Sequence, residues 1–445
     1  MSVDLTHGSV PRTLLRFAVP YLLSCFLQTF YGLADLYVVG RYNAEASITA
    51  VSIGSQVMHM LTVIIVGLAM GGTVAVSRAV GAGDHTETRR GIGNTATLFL
   101  GFSVVATALL LLLTGTVVRL LATPSEAVAE TRQYLLVCFA GVPLITAYNV
   151  VSSVFRGLGD SVRPMWFVAI AGVVNLALDF LFIGPFGWGA AGAALATVLA
   201  QGLSVALALA ALGRLGLGVR LRREDFRLHG PTLGGILKVG VPIAFQDGLI
   251  QVSFLVITMV ANSRGLEVAA AVGVVEKLIG FLFLVPSAML SSVSAIVAQN
   301  AGAGEHVRGR QVLGWALGIV VAYGLAVTAS CALWAESAVA LFVPAGSAVT
   351  ALGGQYLRGY VHDCYVAGVH FCFSGYFCAY RLASLSFLHN IVSIVLARVP
   401  GVLVATWCWP DTLYPMGLAV PIGSLVSVVV CVILFAVGNR RRWFV

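Results

Sequence analysis

Apolar runs of about 20 residues or more, the length an α-helix needs to cross the hydrocarbon of a bilayer, follow one another along almost the whole chain. They lie near 14–40, 49–79, 92–121, 132–155, 164–186 and 189–213, and again near 233–261, 268–299, 311–334, 354–380, 384–408 and 414–437. These twelve runs use up most of the 445 residues, so the gaps are short loops with no room for a separate soluble domain. Charge is scarce in proportion. Only 10% of residues are charged and 59% are hydrophobic, with a mean hydropathy of +0.96, whereas a water-soluble domain carries about 25% charged residues. Most of the outside must therefore face lipid, which excludes a cytosolic enzyme. The first run, Leu14 to Val39, is longer than the core of a cleavable signal peptide and reads as a span.

The net charge of +8 does not point to nucleic acid, because the basic residues fall in short loops between apolar runs. With twelve spans both termini lie on one side. The termini and the loops on that side hold 19 of the 26 Lys and Arg residues, while the opposite loops hold only Arg41, Arg119, Arg132 and Arg264. The positive-inside rule then places both ends in the cytoplasm, and the bacterial inner membrane is the expected location. The two halves repeat each other: GAGDHTETRR (81–90) recurs as GAGEHVRGR (302–310), Gln133-Tyr134-Leu135 as Gln355-Tyr356-Leu357, and the surroundings of Pro20 as those of Pro242. Six spans return the chain to its starting side, so the repeats are parallel, as in transporters that rock two bundles about a central cleft. The predicted fold is an all-α polytopic membrane protein of twelve helices in two six-helix bundles. The lobes are 1–213 and 233–445, joined by a basic cytoplasmic linker at 214–232.

An ionisable group within hydrocarbon is costly and is a functional candidate by default. In the first half, Asp35 stands six residues before Arg41 and Asp179 six before Pro185, which places both about 9 Å inside the outer boundary at 1.5 Å per residue. Asn175 is on the face of Asp179, one turn earlier, and Thr197 enters from the next span. Two carboxylates, an amide and a hydroxyl suit a hard cation, or a carboxyl pair that shares a proton. No structural metal is expected; a transported Na+ at Asp35 and Asp179 is the one metal reading. The second half carries a mixed cluster, Asp247, Glu276, Lys277, Asp363 and Arg398, which reads equally as an internal salt-bridge network or as a transport site. His59, His362, His370 and His389 read as packing residues or proton relays, and Tyr365, Phe373 and Tyr376 as packing or as contacts for flat organic cations.

No CxxC or Cys/His metal spacing occurs, and there is no Walker motif, GxSxG or HExxH. Transport would therefore run on an ion gradient without a cofactor. The rival classes are a flippase for lipid-linked saccharides, whose cleft would be lined with basic residues, and a membrane enzyme or scaffold without transport.

The stretches FAVPYLLSCFLQTFYGLADLYVVGRY, SRAVGAGD, FRGLGDSVRP, NLALDFLFI, AQNAGAGE and ARVPG resemble the multidrug and toxic compound extrusion (MATE) family over essentially the full length. The spacing of Pro20, Asp35, Asn175, Asp179 and Thr197 resembles its DinF-like branch, whose amino-terminal lobe has a cation or proton site of those residue types. Where the NorM-like branch carries a functional Glu in the seventh span, this chain has Ile250-Gln251, although Asp363 resembles that branch's tenth-span Asp. The resemblance implies secondary antiport: amphipathic, often cationic organic compounds exported in exchange for H+ or Na+, with bending of the first helix near Pro20. It further implies a chain that works as a monomer in the lipid bilayer, with small organic substrates and no nucleic acid partner.

Overall fold

Hydrocarbon offers no hydrogen bonds, so each spanning segment must pair its own backbone groups, and the helix does this within one segment. The computed structural model describes residues 4–42, 45–121, 123–215, 221–343 and 347–444. Its elements are α1 (Val10–Tyr42), α2 (Glu45–Gly81), α3 (His85–Leu120), α4 (Val128–Ala140), α5 (Val142–Gly157), α6 (Val162–Ile183) and α7 (Gly189–Leu215). There follow α8 (Gly230–Ser263), α9 (Leu266–Leu282), α10 (Leu284–Gly302), α11 (His306–Val339), α12 (Ala348–Tyr360), α13 (Asp363–Ala379), α14 (Ala383–Ser393), α15 (Val399–Cys408) and α16 (Tyr414–Arg440). A 3₁₀ turn occupies Arg223–Phe226 and a π turn Ile394–Arg398.

Among the described residues, ten spans are long and apolar enough to cross a membrane when Leu266–Gly302 and Ala383–Cys408 are each taken as continuous, and α4 with α5, bent by 47°, makes an eleventh. The remaining predicted pass, 354–380, is the pair α12 and α13, with His362 and Asp363 at its break. The chain is thus the twelve-helix protein that its apolar runs foretold. The bend between α4 and α5 falls at Gly141, where an added Cβ would lie 2.3 Å from Val198 Cγ2, so only glycine lets α7 come so close.

The chain packs as two compact units, one of Val19–Leu237 and one of Leu5–Ala18 with Lys238–Val445. The lobe boundaries read from the sequence differ from this division at both ends of the first half. Leu5–Ala18 packs with the second unit because its backbone is captured there. Leu5 N–H donates to Gln299 at 2.6 Å, Asn300 donates to the Leu5 carbonyl at 3.3 Å, and Arg308 donates to the carbonyls of His7 and Gly8 at 2.9 and 2.7 Å. Within the expected linker, residues 221–232 are docked on α3. Buried Asn94 donates to the carbonyls of Asp225 and Arg227 at 3.3 and 3.1 Å and accepts from His229 N–H at 2.7 Å, while Arg89 pairs with Asp225 at 3.6 Å.

The internal repeat is visible as a repeated helix stop. In each half a backbone N–H reaches five residues back, Asp84 to Ala79 and Asp160 to Phe155, then Glu305 to Asn300 and Leu382 to Phe377, all at 2.8–3.0 Å. This bond closes a helix with a residue in the left-handed conformation, which here is Gly83 (φ +67°), Gly159 (+87°), Gly304 (+78°) and Arg381 (+59°). The repeat is inexact in its chemistry. Asp84 caps α3 by accepting from Thr86 and Glu87 N–H at 2.9 Å each, whereas Glu305, one methylene longer, makes no side-chain cap.

Asn94→Ala is expected to lower the melting temperature of the detergent-purified protein by an amount equivalent to about 1–3 kcal/mol, since it strands the groups that Asn94 satisfies; an unchanged melting curve would refute the docking role. Arg381→Gly is expected to raise the melting temperature and Gly83→Ala to lower it, each by about 1–2 kcal/mol of left-handed strain, both read from the same curves.

Candidate functional site

The carboxylates of the first unit meet because three helices bring them to one place. Asp35 comes from α1, Asn175 and Asp179 from one face of α6, and Thr197 from α7. Thr197 Oγ1 donates to Asp35 Oδ2 at 3.2 Å and to its own helix at the Ala193 carbonyl at 3.1 Å, and Asn175 Nδ2 donates to Asp179 Oδ2 at 3.3 Å. The two carboxyl groups lie within hydrogen-bonding reach of each other. Asp35 is 5% exposed and Asp179 fully buried, yet no Lys or Arg pairs with either among the described residues. Oδ1 of each carboxyl group is buried without a hydrogen-bond partner. The four polar residues that the sequence singled out in the first half are therefore together.

Sequence reasoning missed two supporting side chains, Tyr31 and Tyr134, and the glycines they lie on. Tyr31, one turn before Asp35, donates its hydroxyl to the Val168 carbonyl of α6. Its ring fills the space over Gly172, where an added Cβ would lie 1.9 Å from ring atoms. Tyr134 of α4 lies near Asp35 and hydrogen-bonds Ser55 at 3.4 Å, and its ring rests on Gly54. The signal for Tyr134 was present in the repeat, since it is the central residue of the recurring Gln-Tyr-Leu.

Just past the run 132–155, Arg156 lies in the last turn of α5, 7% exposed, with its guanidinium 5.1 Å from the Tyr21 ring centre. Packing against α1 removes it from water although it sits at a span end. Asp160 pairs with Arg163 at 3.2 Å and accepts from Val162 and Arg163 N–H, a local helix-start arrangement.

In the second unit the structure divides the mixed cluster. Arg398 pairs with fully buried Asp363 at 3.5 Å, and Glu276, which accepts from Thr258 at 3.4 Å, is close enough to feel the Arg398 charge. Lys277 is exposed on α9, and Asp247 is half-buried on α8. The aromatic expectation is revised for two of its three residues. Phe373 and Tyr376 sit in a packed aromatic core with Tyr380, Phe435 and Phe444, with centroids 5.1–5.6 Å apart, which leaves no ring face for a ligand. Tyr365 is half-buried and hydrogen-bonds His362 at 3.1 Å. His389 is fully buried between Ser374 and Ser427 at 2.9 and 3.2 Å, His370 packs against it at 5.3 Å between centroids, and His59 is exposed on α2.

The sequence model of the MatE family matches twice, at residues 20–181 and 242–403, so the two matches stand 222 residues apart and reproduce the internal repeat. The chain belongs to the MatE family. Among curated MATE relatives, a probable multidrug resistance protein, YpnP, of Bacillus subtilis is 27% identical over 403 residues, covering 89% of this chain and 88% of its own. An FAD transporter of Shewanella oneidensis is 25% identical over 437 residues, covering 96% and 94%. Among solved structures, a crystal structure of MATE in complex with MaL6 superposes with a TM-score of 0.90 at 23% identity, covering 99% and 98% of the two chains. This MATE chain is accordingly a multi-pass membrane transporter and not an enzyme.

Gly172→Ala is expected to cost about 1–3 kcal/mol by overpacking against Tyr31, and trimming Tyr31→Ala in the same chain should recover most of that loss. Melting curves of the two single variants and the double test this; strict additivity would show that the α1–α6 contact is not made through these residues.

Proposed function

We propose that this MATE transporter is a secondary antiporter that exports amphipathic, cationic organic compounds by alternating access, in exchange for H+ or Na+ taken at Asp35, Asn175, Asp179 and Thr197. The observation that carries this reading is the pair of buried carboxyl groups within reach of each other and without a basic partner. Two anions cannot share a dry site at low cost. The pair must hold a proton or a metal cation, and H+ is the simpler occupant because one proton lets one carboxyl donate to the other. Na+ would take the carboxylate oxygens with the Asn175 carbonyl and the Thr197 hydroxyl, all hard donors.

Loading and unloading this site changes the charge at the contact of α1 with α6 and α7. Pro20 lies in the interior of α1, where its missing N–H and its ring weaken the helix ladder, so α1 can bend there as the contact changes. Coupling requires the ion and the drug to favour different states, since a ligand that binds both equally shifts nothing. The spacing of these residues also supports the DinF-like branch, and the loop charges support cytoplasmic termini. A second reading, in which the cargo is a flavin nucleotide, is favoured by the Shewanella relative.

Efflux of a fluorescent organic cation from cells, with FAD as a separate cargo in everted vesicles, tests both readings. Asp35→Asn and Asp179→Asn are expected to insert normally and to lose at least about tenfold of gradient-driven efflux, the factor that corresponds to 1.4 kcal/mol. Collapsing the proton gradient should abolish wild-type efflux at constant sodium. Wild-type transport by either variant would sink the site assignment, and export of FAD without the organic cation would replace the cargo.

A further inference from the structure

The polar cluster of the second unit is not a copy of the first. At the repeat offset of 222 residues (20 to 242), the counterpart of Asp35 is Ile257, that of Asp179 is Gly401, and that of Asp363 is Gly141. What the second unit has in their stead is an arginine delivered by a special piece of backbone. Pro400 has no N–H to give to Leu396, so the helix ladder cannot run through this point as an α-helix. The chain opens into the π turn Ile394–Arg398, closed by a bond from Val399 N–H five residues back to the Ile394 carbonyl. This extra residue per turn rotates Arg398 into the unit, a geometry frequent at functional sites.

Arg398 is 8% exposed. Its Nη2 lies 3.5 Å from Asp363 Oδ2 and its guanidinium carbon 5.2 Å from the Phe254 ring centre. Helix α16 accommodates it at Gly423, where an added Cβ would lie 2.8 Å from Arg398 Cβ. Around the pair, the hydroxyls of Tyr356 and Tyr360, Arg398 Nε and both Asp363 oxygens are buried without hydrogen-bond partners. The site is therefore polar, buried and loosely bonded, and its charge comes from the ion pair together with Glu276, which is close enough to feel the Arg398 charge.

A fully buried carboxylate needs a counter-charge, which can come from the medium or from the chain. We propose that Arg398 is the resident counter-cation of the second unit: it occupies at Asp363 the place that an ion from the medium would take, so that this unit does not exchange a cation there. The proposal deepens the coupling reading above and takes its functional meaning from it, since exchange is then confined to Asp35 and Asp179. Arg suits the role because its planar fork of N–H donors matches the geometry of a carboxylate.

The test is equilibrium binding of radioactive Na+ to the full-length protein purified in detergent, at alkaline pH where protons compete least. Arg398→Met is expected to bind one more Na+ per chain than the wild type, and Asp363→Asn in the same chain to remove that extra ion. Equal binding by wild type and Arg398→Met, or an extra ion that survives Asp363→Asn, would overturn the proposal. Adding Asp35→Asn to Arg398→Met should leave the extra ion in place while removing the first-unit share; a first-unit share that persists would count against the coupling site and leave the role of Arg398 intact. Removing one member of a buried pair destabilises, so melting is followed beside binding. The charge-neutral Asp363→Asn/Arg398→Met double variant is expected to melt above both single variants, and one that melts no higher than they do also refutes the pairing.

Discussion

Exclusion of water from the bilayer interior governs this molecule at every level. It forces the backbone into helices and confines basic residues to the loops, where most of them lie. It also makes each buried ionisable group a choice among protonation, pairing and coordination. The two units resolve that choice in opposite ways. The first leaves Asp35 and Asp179 without a basic partner among the described residues. The second sets the Arg398 side chain against Asp363. On the two readings proposed above, the first site takes its counter-charge from the medium and the second from the chain.

The close approaches that allow this are made by glycines in which a Cβ would meet a neighbour. Gly172 lets the Tyr31 ring lie on α6, Gly54 does the same for Tyr134 on α2, and Gly423 admits the π turn that carries Arg398. Helices in lipid gain little from the hydrophobic effect on meeting each other, so contact distance decides their association. In the first unit the Tyr31–Gly172 contact lies one turn from Asp35 and joins α1 to α6, the two helices that carry the carboxyl groups.

Much of the candidate site was legible before any fold was known. Equal depth of Asp35 and Asp179 followed from counting residues to the span ends, and the shared face of Asn175 and Asp179 from the helical period. Tyr31 and Gly172 were not legible, because a ring lying on a glycine of another helix leaves no spacing signal in either segment. The burial of Arg156 was not legible either, because a span end looks like a loop in composition and burial there depends on Tyr21 of α1 lying against it. Phe373 and Tyr376 could have faced a ligand as readily as a core; Phe435 and Phe444, distant in sequence, decided the matter by covering them.

The sequence by itself determined the helical class, the number of passes, the twofold repeat and the identity of the four polar residues in the first unit. These follow from local quantities, namely run length, periodicity and recurrence, that hydrocarbon makes decisive. Only the tertiary structure decided that residues 5–18 pack with the second half, that residues 221–232 dock on α3 through Asn94, and that Arg398 belongs to Asp363 while Lys277 does not. Each of these depends on a direction in space, the turn of a helix or the reach of a side chain between segments far apart in the chain. Composition carries no record of direction.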